Sequence, residues 1–480
     1  MPDDQGLLDP LANGTRATEL TRDSAFLQAM VDAELGLTLA LIDAGLVPGW
    51  MGAVCEQLAD ASRLDLAAIA AEGRAGGNPV IPLVKHLGAR AETFRSGASD
   101  HLHVGATSQD ILDTATMLVT RRVAGEMLAQ LGTLADGLAV LADQHRATPM
   151  VGRTLGQHAS PTSFGFVAAS WLDAVLQAKD RLAAERASLP IQLGGAVGTL
   201  AVLSSIASER LPDSPPAQTI DLVLGLFARR LGLAEPVMPW HTNRLVVTGI
   251  ASALAAATGA VGAFALDVTV LSRTEIGELS ERLSPGEGGS SAMPHKRNPV
   301  TAVLVTAAAR QTPALLATLY SSLLAEGQRP SGAWHAEWAA LRTLESVAVA
   351  AVTGAVDLAA RLDVDSGRML ANLDLTEGLV FSERVTTILA EALGKARAFD
   401  LVGRASREAY ETGRPLRVVL SAYLAADSPL RQSDDDALRA RVWSAFDLTD
   451  FGHSDAGIDR ALRRHRGLEA TINEEGTLVA

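Results

Sequence analysis

Long stretches without proline, in which apolar residues recur at helical spacing, dominate the chain. Four of them stand out, at residues 83–148, 162–189, 240–284 and 331–414. Ala, Leu, Glu and Arg are abundant there, and the alternation typical of strands is hard to find. Because a proline inside a helix costs about 3 kcal/mol, these gaps predict long helices and an all-α fold.

The segment 245–266 contains no charged residue and is long enough to cross a bilayer. It is built largely from Ala and Gly, lacks aromatic anchors on both sides, and continues as a helical pattern into Asp267. We therefore interpret it as a buried helix, and we predict no membrane association. Since one subunit rarely covers a helix that is apolar on every face, we expect a homo-oligomer with a central bundle of long helices.

Glycine and proline breaks suggest three regions along the chain. Residues 1–110 form an N-terminal domain of shorter helices, residues 111–360 the central long-helix bundle, and residues 361–480 a C-terminal helical domain. Residues 282–289, rich in Gly and Pro, are expected to form a flexible loop within the central region rather than a linker.

Composition and charge narrow the class of protein. With 48% hydrophobic and 20% charged residues the 480-residue chain is typical of a globular protein, and its net charge of −14 argues against nucleic acid as a partner. Cys55 is the only cysteine, which excludes an internal disulfide or a multi-cysteine metal site. The acidic N-terminus does not resemble a secretory signal, so we expect a cytoplasmic protein.

The first segment with candidate chemistry is residues 101–110, HLHVGATSQD, which precedes a helical run. Thr107 and Asp110 fit a capping box, which places Thr107 and Ser108 where backbone N–H groups of a helix start attract anions. His103 lies in the same segment. An ordinary helix cap beside surface histidines is the alternative.

The second segment is residues 152–162, GRTLGQHASPT. Ser160 can cap a helix, with Pro161 as its first residue. Gln157 and His158 come just before that turn, a place suited to substrate contact and to a proton donor or acceptor near neutral pH. A structural histidine in a loop is the alternative.

The third segment is residues 288–299, GGSSAMPHKRNP. Asn298 as cap and Pro299 as first residue would start a helix, so Lys296 and Arg297 would stand beside its positive end, where two cations are unfavourable unless an anion binds. Its glycines leave two serines on a loop that could close over a substrate, Ser290 and Ser291. A solvated Ser-Gly loop is the alternative.

Each of these three polar loops ends at a helix start and could bind an anion. If folding or oligomerisation brings them together, they form a cradle for carboxylates. A base in such a cradle can remove a proton next to a carboxylate while the cradle holds the charge that develops. This chemistry needs neither a metal nor a coenzyme, and we expect none.

Together these motifs resemble those of a known enzyme superfamily. GSSAMPHKRNP resembles the GSSxMPxKxNP signature of the fumarase/aspartase superfamily, and the likeness covers nearly the whole chain. The sequence is most similar to bacterial 3-carboxy-cis,cis-muconate cycloisomerases through segments such as HVGATSQDILDT, NPVIPLVKHLG, GRTLGQHASPTSFG, QLGGAVGTLA, PWHTNR, LSRTEIGE, WHAEW and NLDLTEGLV.

The resemblance implies a homotetramer whose long helices form a twenty-helix core, with each active site built from three subunits. By matching position, Ser290 is the family's base serine, and Lys296 and Asn298 bind the carboxylate and the enolate. Thr107 and Ser108 match residues that hold a substrate carboxylate. Arg329, before WHAEW, matches an arginine expected to bind another carboxylate.

The second segment departs from part of the family. Fumarases and adenylosuccinate lyases carry His where this chain has Leu155, so the usual acid of those lyases is absent. Cycloisomerases also lack it and resemble this chain in having His at the position of His158. Gly156, where a larger apolar residue is common, is expected to alter the pocket.

The implied reaction, part of aromatic catabolism, closes 3-carboxy-cis,cis-muconate to 4-carboxymuconolactone. Ser290 or His158 would deliver the proton, and the residues leave that choice open. A β-elimination lyase releasing fumarate from a substituted succinate, of the adenylosuccinate, argininosuccinate or nitrosuccinate type, uses the same cradle and is the main alternative. A non-catalytic relative is a third reading, against which the presence of Ser290, Lys296 and Asn298 speaks.

Overall fold

The computed structural model describes residues 7–284, 286–289, 292–293, 295–426, 436–448, 451–467, 471–472 and 478–479. The all-α class predicted from the sequence is confirmed. The helices are α1 Arg16–Thr21, α2 Asp23–Asp43, α3 Met51–Leu58, α4 Leu66–Gly76, α5 Val80–Phe94, α6 Ser108–Gln144, α7 Phe164–Ser188, α8 Ala201–Arg210, α9 Pro216–Leu231, α10 Leu245–Leu271, α11 Val300–Ser321, α12 Ala333–Ala360, α13 Ser366–Asp374, α14 Ser382–Leu393, α15 Lys395–Thr412, α16 Leu416–Ala426, α17 Asp436–Ser444 and α18 Ser454–His465.

Short strands pair in three antiparallel ladders. They are β1 Pro149–Thr154 with β2 Gln157–Ser163, β3 Leu279–Glu281 with β4 Leu362–Val364, and β5 Thr471–Ile472 with β6 Leu478–Val479. The expectation that strands are scarce holds, but the hairpin of β1 and β2 lies in a segment where the sequence predicted a loop and a helix start.

The longest helices lie in the proline gaps, as predicted. The 37-residue α6 lies in the first gap and the 28-residue α12 in the last. Helix α11 is the exception because Pro313 lies inside it. Pro313 has no N–H to donate to the carbonyl of Ala309, and the hydroxyl of Thr312 donates to that oxygen instead, at 2.9 Å.

The chain divides into two compact units, each drawn from several stretches of sequence. The first comprises residues 1–132, 177–263 and 304–355, and the second residues 133–176, 264–303 and 356–480. The predicted division at residues 110 and 360 follows the sequence rather than these units and stays a prediction.

In the first unit, apolar helices pack closely. Helix α2 packs against α3 and α9 and buries most of its length. Helices α10 and α11 approach so closely that a Cβ built on Gly262 would lie 2.4 Å from the Cβ of Ala309. Glycine at this position therefore allows the two helix backbones to come into contact.

In the second unit, the C-terminal helices form a core of their own. Helix α14 packs against α15 and α17, and α15 against α16. Their apolar faces enclose a buried cluster that includes Leu389, Leu401, Leu420 and Val442. This packing explains the regular apolar spacing in the last hundred residues.

Four helices of the described chain are long and apolar enough to cross a membrane: α2, α10, α11 and α12. Within the chain, 67%, 56% and 61% of the most apolar windows of α2, α10 and α12 are buried, but only 22% of that of α11. Helix α11 therefore carries an apolar surface that its own chain leaves largely uncovered.

Candidate active site

The loop before α6 is joined to a distant arginine. The Nη1 atom of Arg329 donates a hydrogen bond to the Thr107 hydroxyl at 2.8 Å, and its guanidinium lies 5.9 Å from the centre of the Trp334 ring. Ser108 is the first residue of α6 and is half-buried. Two residues predicted to bind carboxylates, 222 positions apart, thus meet at a helix start.

Asp110 holds this loop in place. Its Oδ2 accepts from the backbone N–H groups of Thr107 and Gly195, both at 2.9 Å, while Oδ1 accepts from the N–H of Gly194 at 2.9 Å and lies 2.7 Å from His241 Nε2. The Asp110 half of the predicted capping box is confirmed. The Thr107 hydroxyl accepts from Arg329 rather than capping the helix, because the arginine is within reach.

His103 adopts a left-handed backbone conformation, with φ of 57°. Its Nδ1 lies 2.5 Å from Oε1 of Glu34, a fully buried residue of α2. Burial lowers the pKa of His103, but the hydrogen bond and charge of Glu34, with the charge of Asp110, more than offset this. The pKa of His103 is therefore raised above its ordinary value, and the imidazolium form is favoured.

A buried ion cluster lies behind this loop. Arg244 makes paired hydrogen bonds with Asp113, at 2.8 and 3.1 Å, and with Glu337, and Trp334 Nε1 donates to Asp113 at 2.9 Å. Burial lowers the pKa of Arg244, but the two carboxylates more than offset it and the pKa is raised. Arg244 stays charged, and the cluster fixes the starts of α10 and α12 against α6.

The second predicted segment forms a hairpin instead of a helix start. Strands β1 and β2 are joined by Leu155 and Gly156, with φ of 50° and 79°, two successive left-handed residues as in a type I′ turn. Ser160 and Pro161 lie in β2, and α7 begins at Phe164. The predicted helix cap at Ser160 is therefore wrong, because the tight turn brings the chain back as a strand.

His158 lies opposite Arg153 in this hairpin. It is half-buried, and its buried Nδ1 has no hydrogen-bond partner among the described residues. Arg153 makes two hydrogen bonds to the buried Glu278, at 2.9 and 2.6 Å. Burial and the charge of Arg153 lower the pKa of His158, so the neutral imidazole is favoured. Gln157, beside the turn, is exposed.

The third predicted segment leads into α11, which begins at Val300. The predicted cap at Asn298 lies one residue too early, because Pro299 is the residue just before the first residue of α11. The Nδ2 atom of Asn298 donates to the carbonyl of Gly288 at 3.1 Å. The carboxylate of Glu281 accepts from the N–H groups of Thr301 and Ala302, at 3.2 and 2.8 Å. The expectation of a free anion site at this helix end is therefore wrong, since Glu281 already occupies it.

Lys296, one of the two cations of this segment, is nevertheless accessible to solvent. It follows the glycine-rich turn. Ser290 and Ser291 lie outside the described residues. No hydrogen bond or ion pair among the described residues joins Lys296 or Asn298 to His158. The three residues belong to the second unit, whereas His103, Thr107, Ser108 and Arg329 belong to the first.

Several polar residues around the first unit's loop had no role in the sequence interpretation. Glu34, Asp113, His241, Arg244 and Glu337 are all buried. For Glu34, Asp113 and Glu337, the signal in the sequence is a charged residue within an apolar helix pattern, which indicates a buried partner without identifying it. His241 and Arg244 precede α10 and carry no such signal. Among described residues, no group of three or more His, Cys, Asp or Glu side chains is arranged to hold a metal ion.

Comparison with known proteins adds a family context. A family described as Lyase matches residues 54–313. The chain is 46% identical to a nitrosuccinate lyase of Streptomyces davaonensis, over 87% of each chain. It is 40% identical to a 3-carboxy-cis,cis-muconate cycloisomerase of Bradyrhizobium diazoefficiens, over 87% of this chain and 90% of the relative.

The fold has a solved counterpart. A 3-carboxy-cis,cis-muconate lactonizing enzyme from Pseudomonas putida superposes with a TM-score of 0.85 and 37% sequence identity, covering 96% of this chain and 99% of that one. The likeness therefore extends over the whole helical architecture and is not confined to the signature loop.

Proposed function

The chain belongs to the fumarase/aspartase superfamily of enzymes, and we propose that it catalyses the cycloisomerisation of 3-carboxy-cis,cis-muconate to 4-carboxymuconolactone. In this reaction a carboxylate oxygen of the substrate bonds to an alkene carbon, and the neighbouring carbon gains a proton. No atom other than a proton is exchanged with solvent, so the reaction needs no co-reactant.

The observation that carries this proposal is the near-complete likeness to the Pseudomonas putida lactonizing enzyme, at 37% identity over 96% of the chain. A cycloisomerase relative at 40% identity supports it. His158, in the hairpin where related lyases carry a histidine at the position of Leu155, fits the same subgroup.

In the first unit, we assign carboxylate binding to the loop before α6. Arg329, joined to the Thr107 hydroxyl, presents a planar cation that matches a carboxylate. Ser108 stands at the helix start, where free N–H groups favour negative charge. His103 adds a second positive group on the same loop.

In the second unit, we assign proton transfer. His158, whose lowered pKa makes its protonated form a stronger acid, would deliver the proton to the substrate carbon and regain one from solvent. Ser290 is the alternative proton donor by its position in the signature. Lys296 would stabilise the enolate that forms. Three further residues of the second and third segments would contribute hydrogen bonds to the substrate: Gln157, Ser291 and Asn298.

We further propose that copies of the chain complete the enzyme as a homotetramer with active sites shared between subunits. The uncovered apolar surface of α11 supports this, because a large exposed apolar surface marks a site where a partner binds. Because we assign the apolar surface of α11 to contacts between subunits, we propose that the protein is cytoplasmic and is not inserted in a membrane.

A second candidate is elimination from a substituted succinate, with nitrosuccinate as substrate. The 46% identity to a nitrosuccinate lyase favours it. Removal of the proton next to one carboxylate and departure of nitrite would leave fumarate. The same cradle serves both reactions, because both develop negative charge on a carboxylate beside the reacting carbon.

One experiment distinguishes the two candidate reactions. Purified enzyme is given 3-carboxy-cis,cis-muconate in one cell and nitrosuccinate in another, and loss of the diene absorbance and release of nitrite are followed. The proposal predicts rapid diene loss with slow or no nitrite release. Nitrite release with an unchanged diene at high enzyme concentration would assign the lyase, and neither signal would overturn both.

A further inference from the structure

Glu34 is a carboxylate in an apolar setting. It lies in the middle of α2, is fully buried, and is surrounded along the helix by residues such as Val31, Leu35 and Leu37. Its Oε1 pairs with Nδ1 of His103 at 2.5 Å, and its Oε2 has no partner among the described residues. A buried carboxylate with one partner is a poor source of stability, since an apolar residue of similar size would stabilise the helix packing more.

The backbone conformation of His103 also costs free energy. His103 holds a left-handed backbone conformation, which a residue with a Cβ adopts only when its surroundings impose it. The ring is held by Nδ1, so Nε2 is the atom left for a ligand, and about a fifth of the side chain is exposed, at 22%. Strain and burial together indicate that this loop is shaped for binding.

The surroundings of His103 are electrostatically defined. Glu34 of α2 and Asp110 of α6 are the charged groups that act on its ring in the described structure, and together they raise its pKa despite burial. Four residues further along the loop, Thr107 accepts from Arg329. His103 on this loop and Arg329 from a distant segment thus place two positive groups beside one helix start, a combination suited to a substrate with several carboxylates.

We propose that Glu34 is a positioning residue, which orients the His103 ring through Nδ1 and keeps it charged so that Nε2–H donates to a substrate carboxylate. The proposal rests on the proposed binding of a polycarboxylate, whichever of the two reactions follows. It assigns Glu34 no contact with substrate. Its contribution is expressed only through His103.

The test uses Glu34→Gln in the full-length enzyme, with whichever substrate the wild type turns over. Glutamine keeps a hydrogen-bond acceptor for Nδ1–H but removes the charge, so the ring loses its proton at lower pH. We expect KM to rise roughly 10-fold near neutral pH with a smaller change in kcat, because a hydrogen bond from a charged donor is lost in binding. The pH above which KM rises should move down.

A double-mutant cycle separates positioning from general damage. His103→Gln alone should raise KM at least as much, and adding Glu34→Gln to it should change KM no further. Additive effects, or a Glu34→Gln enzyme with unchanged KM and pH profile, would overturn the proposal. Glu34→Asp, which keeps the charge, should retain the wild-type pH limit and serves as the second variant if Glu34→Gln does not fold.

Glu345→Gln is the matched control, since Glu345 is also fully buried and bonded to one side chain, the Thr120 hydroxyl. It should leave KM unchanged. If the wild type turns over neither candidate substrate, the proposed function fails. An active wild type whose KM ignores Glu34 instead contradicts this inference alone.

Discussion

Thr107 and Arg329 are joined by a hydrogen bond of 2.8 Å from the guanidinium to the hydroxyl. The bond orients a cation at the start of α6, where the proposed substrate carboxylate binds. The two side chains are therefore expected to act as one binding element.

Arg329→Lys keeps the charge but loses the planar fork, and Thr107→Val keeps the shape but loses the hydroxyl. We expect kcat/KM to fall about 10- to 100-fold for Arg329→Lys, because a hydrogen bond to a charged group contributes about 1.5–3 kcal/mol. A smaller loss is expected for Thr107→Val. Steady-state kinetics measures both, with Arg63→Lys, a surface arginine paired with Asp60, as control. Equal kinetics of Arg329→Lys and the control would refute this role.

The turn between β1 and β2 stores backbone strain. Leu155 is fully exposed and has φ of 50°, a conformation that Asn tolerates better. Leu155→Asn should raise the free energy of unfolding by about 0.5–1 kcal/mol, read from urea unfolding. Leu324→Asn, another exposed leucine but without a positive φ, should change it by less than about 0.5 kcal/mol. A destabilised Leu155→Asn would contradict the strain assigned to this turn.

The close approach of α10 and α11 determines whether replacing Gly262 by alanine stabilises or destabilises the fold. Gly262→Ala gains about 1 kcal/mol of helix propensity, but its Cβ would meet that of Ala309 at 2.4 Å. Since overpacking typically costs about 1–3 kcal/mol, we expect net destabilisation and a lower melting temperature. Gly403→Ala in α15, where a Cβ meets only the end of the Arg407 side chain at 3.9 Å, should be stabilising. A stabilised Gly262→Ala would contradict the packing.

Glu345 makes stability depend on pH. Burial raises the pKa of Glu345 from 4.5 to about 8, only partly offset by the Thr120 hydroxyl. Between these values the folded chain holds a proton that the unfolded chain releases, so the free energy of unfolding falls as pH rises from about 4.5 to about 8.

Glu345→Gln removes that proton equilibrium. The variant should be more stable than the wild type above pH 8, with the difference shrinking as pH falls towards 5. Urea unfolding of both proteins at equal concentration across this range measures it. Parallel curves for the two proteins would show that Glu345 does not hold a proton in the folded state.

The long helices were predictable because proline and apolar spacing are local signals. Helix α6 falls within a proline gap, and the unexpected Pro313 in α11 is tolerated because Thr312 replaces its hydrogen bond. The hairpin at Leu155 was not predictable in the same way. A leucine rarely takes a left-handed conformation. The turn residues Leu155 and Gly156 therefore lack the Asn-Gly or Gly-Gly pair that usually signals such a turn.

The candidate site was predictable only in part. Thr107 and Arg329 were identified by resemblance. Their contact could not be predicted, because they are 222 positions apart in sequence and only the folded chain brings them together. Glu281 occupies the start of α11 because β3 brings its carboxylate there, a tertiary effect that no pattern around Asn298 indicates. Glu34 was missed for the same reason, since its partner His103 lies 69 residues away.

Turnover of 3-carboxy-cis,cis-muconate in D2O, followed by NMR and mass spectrometry, tests whether the enzyme closes the lactone and adds a proton to carbon. We expect a lactone that carries one deuterium on the carbon next to a carboxylate, formed as the diene disappears. A diene that persists unchanged at high enzyme concentration, or a lactone without deuterium on carbon, would contradict it.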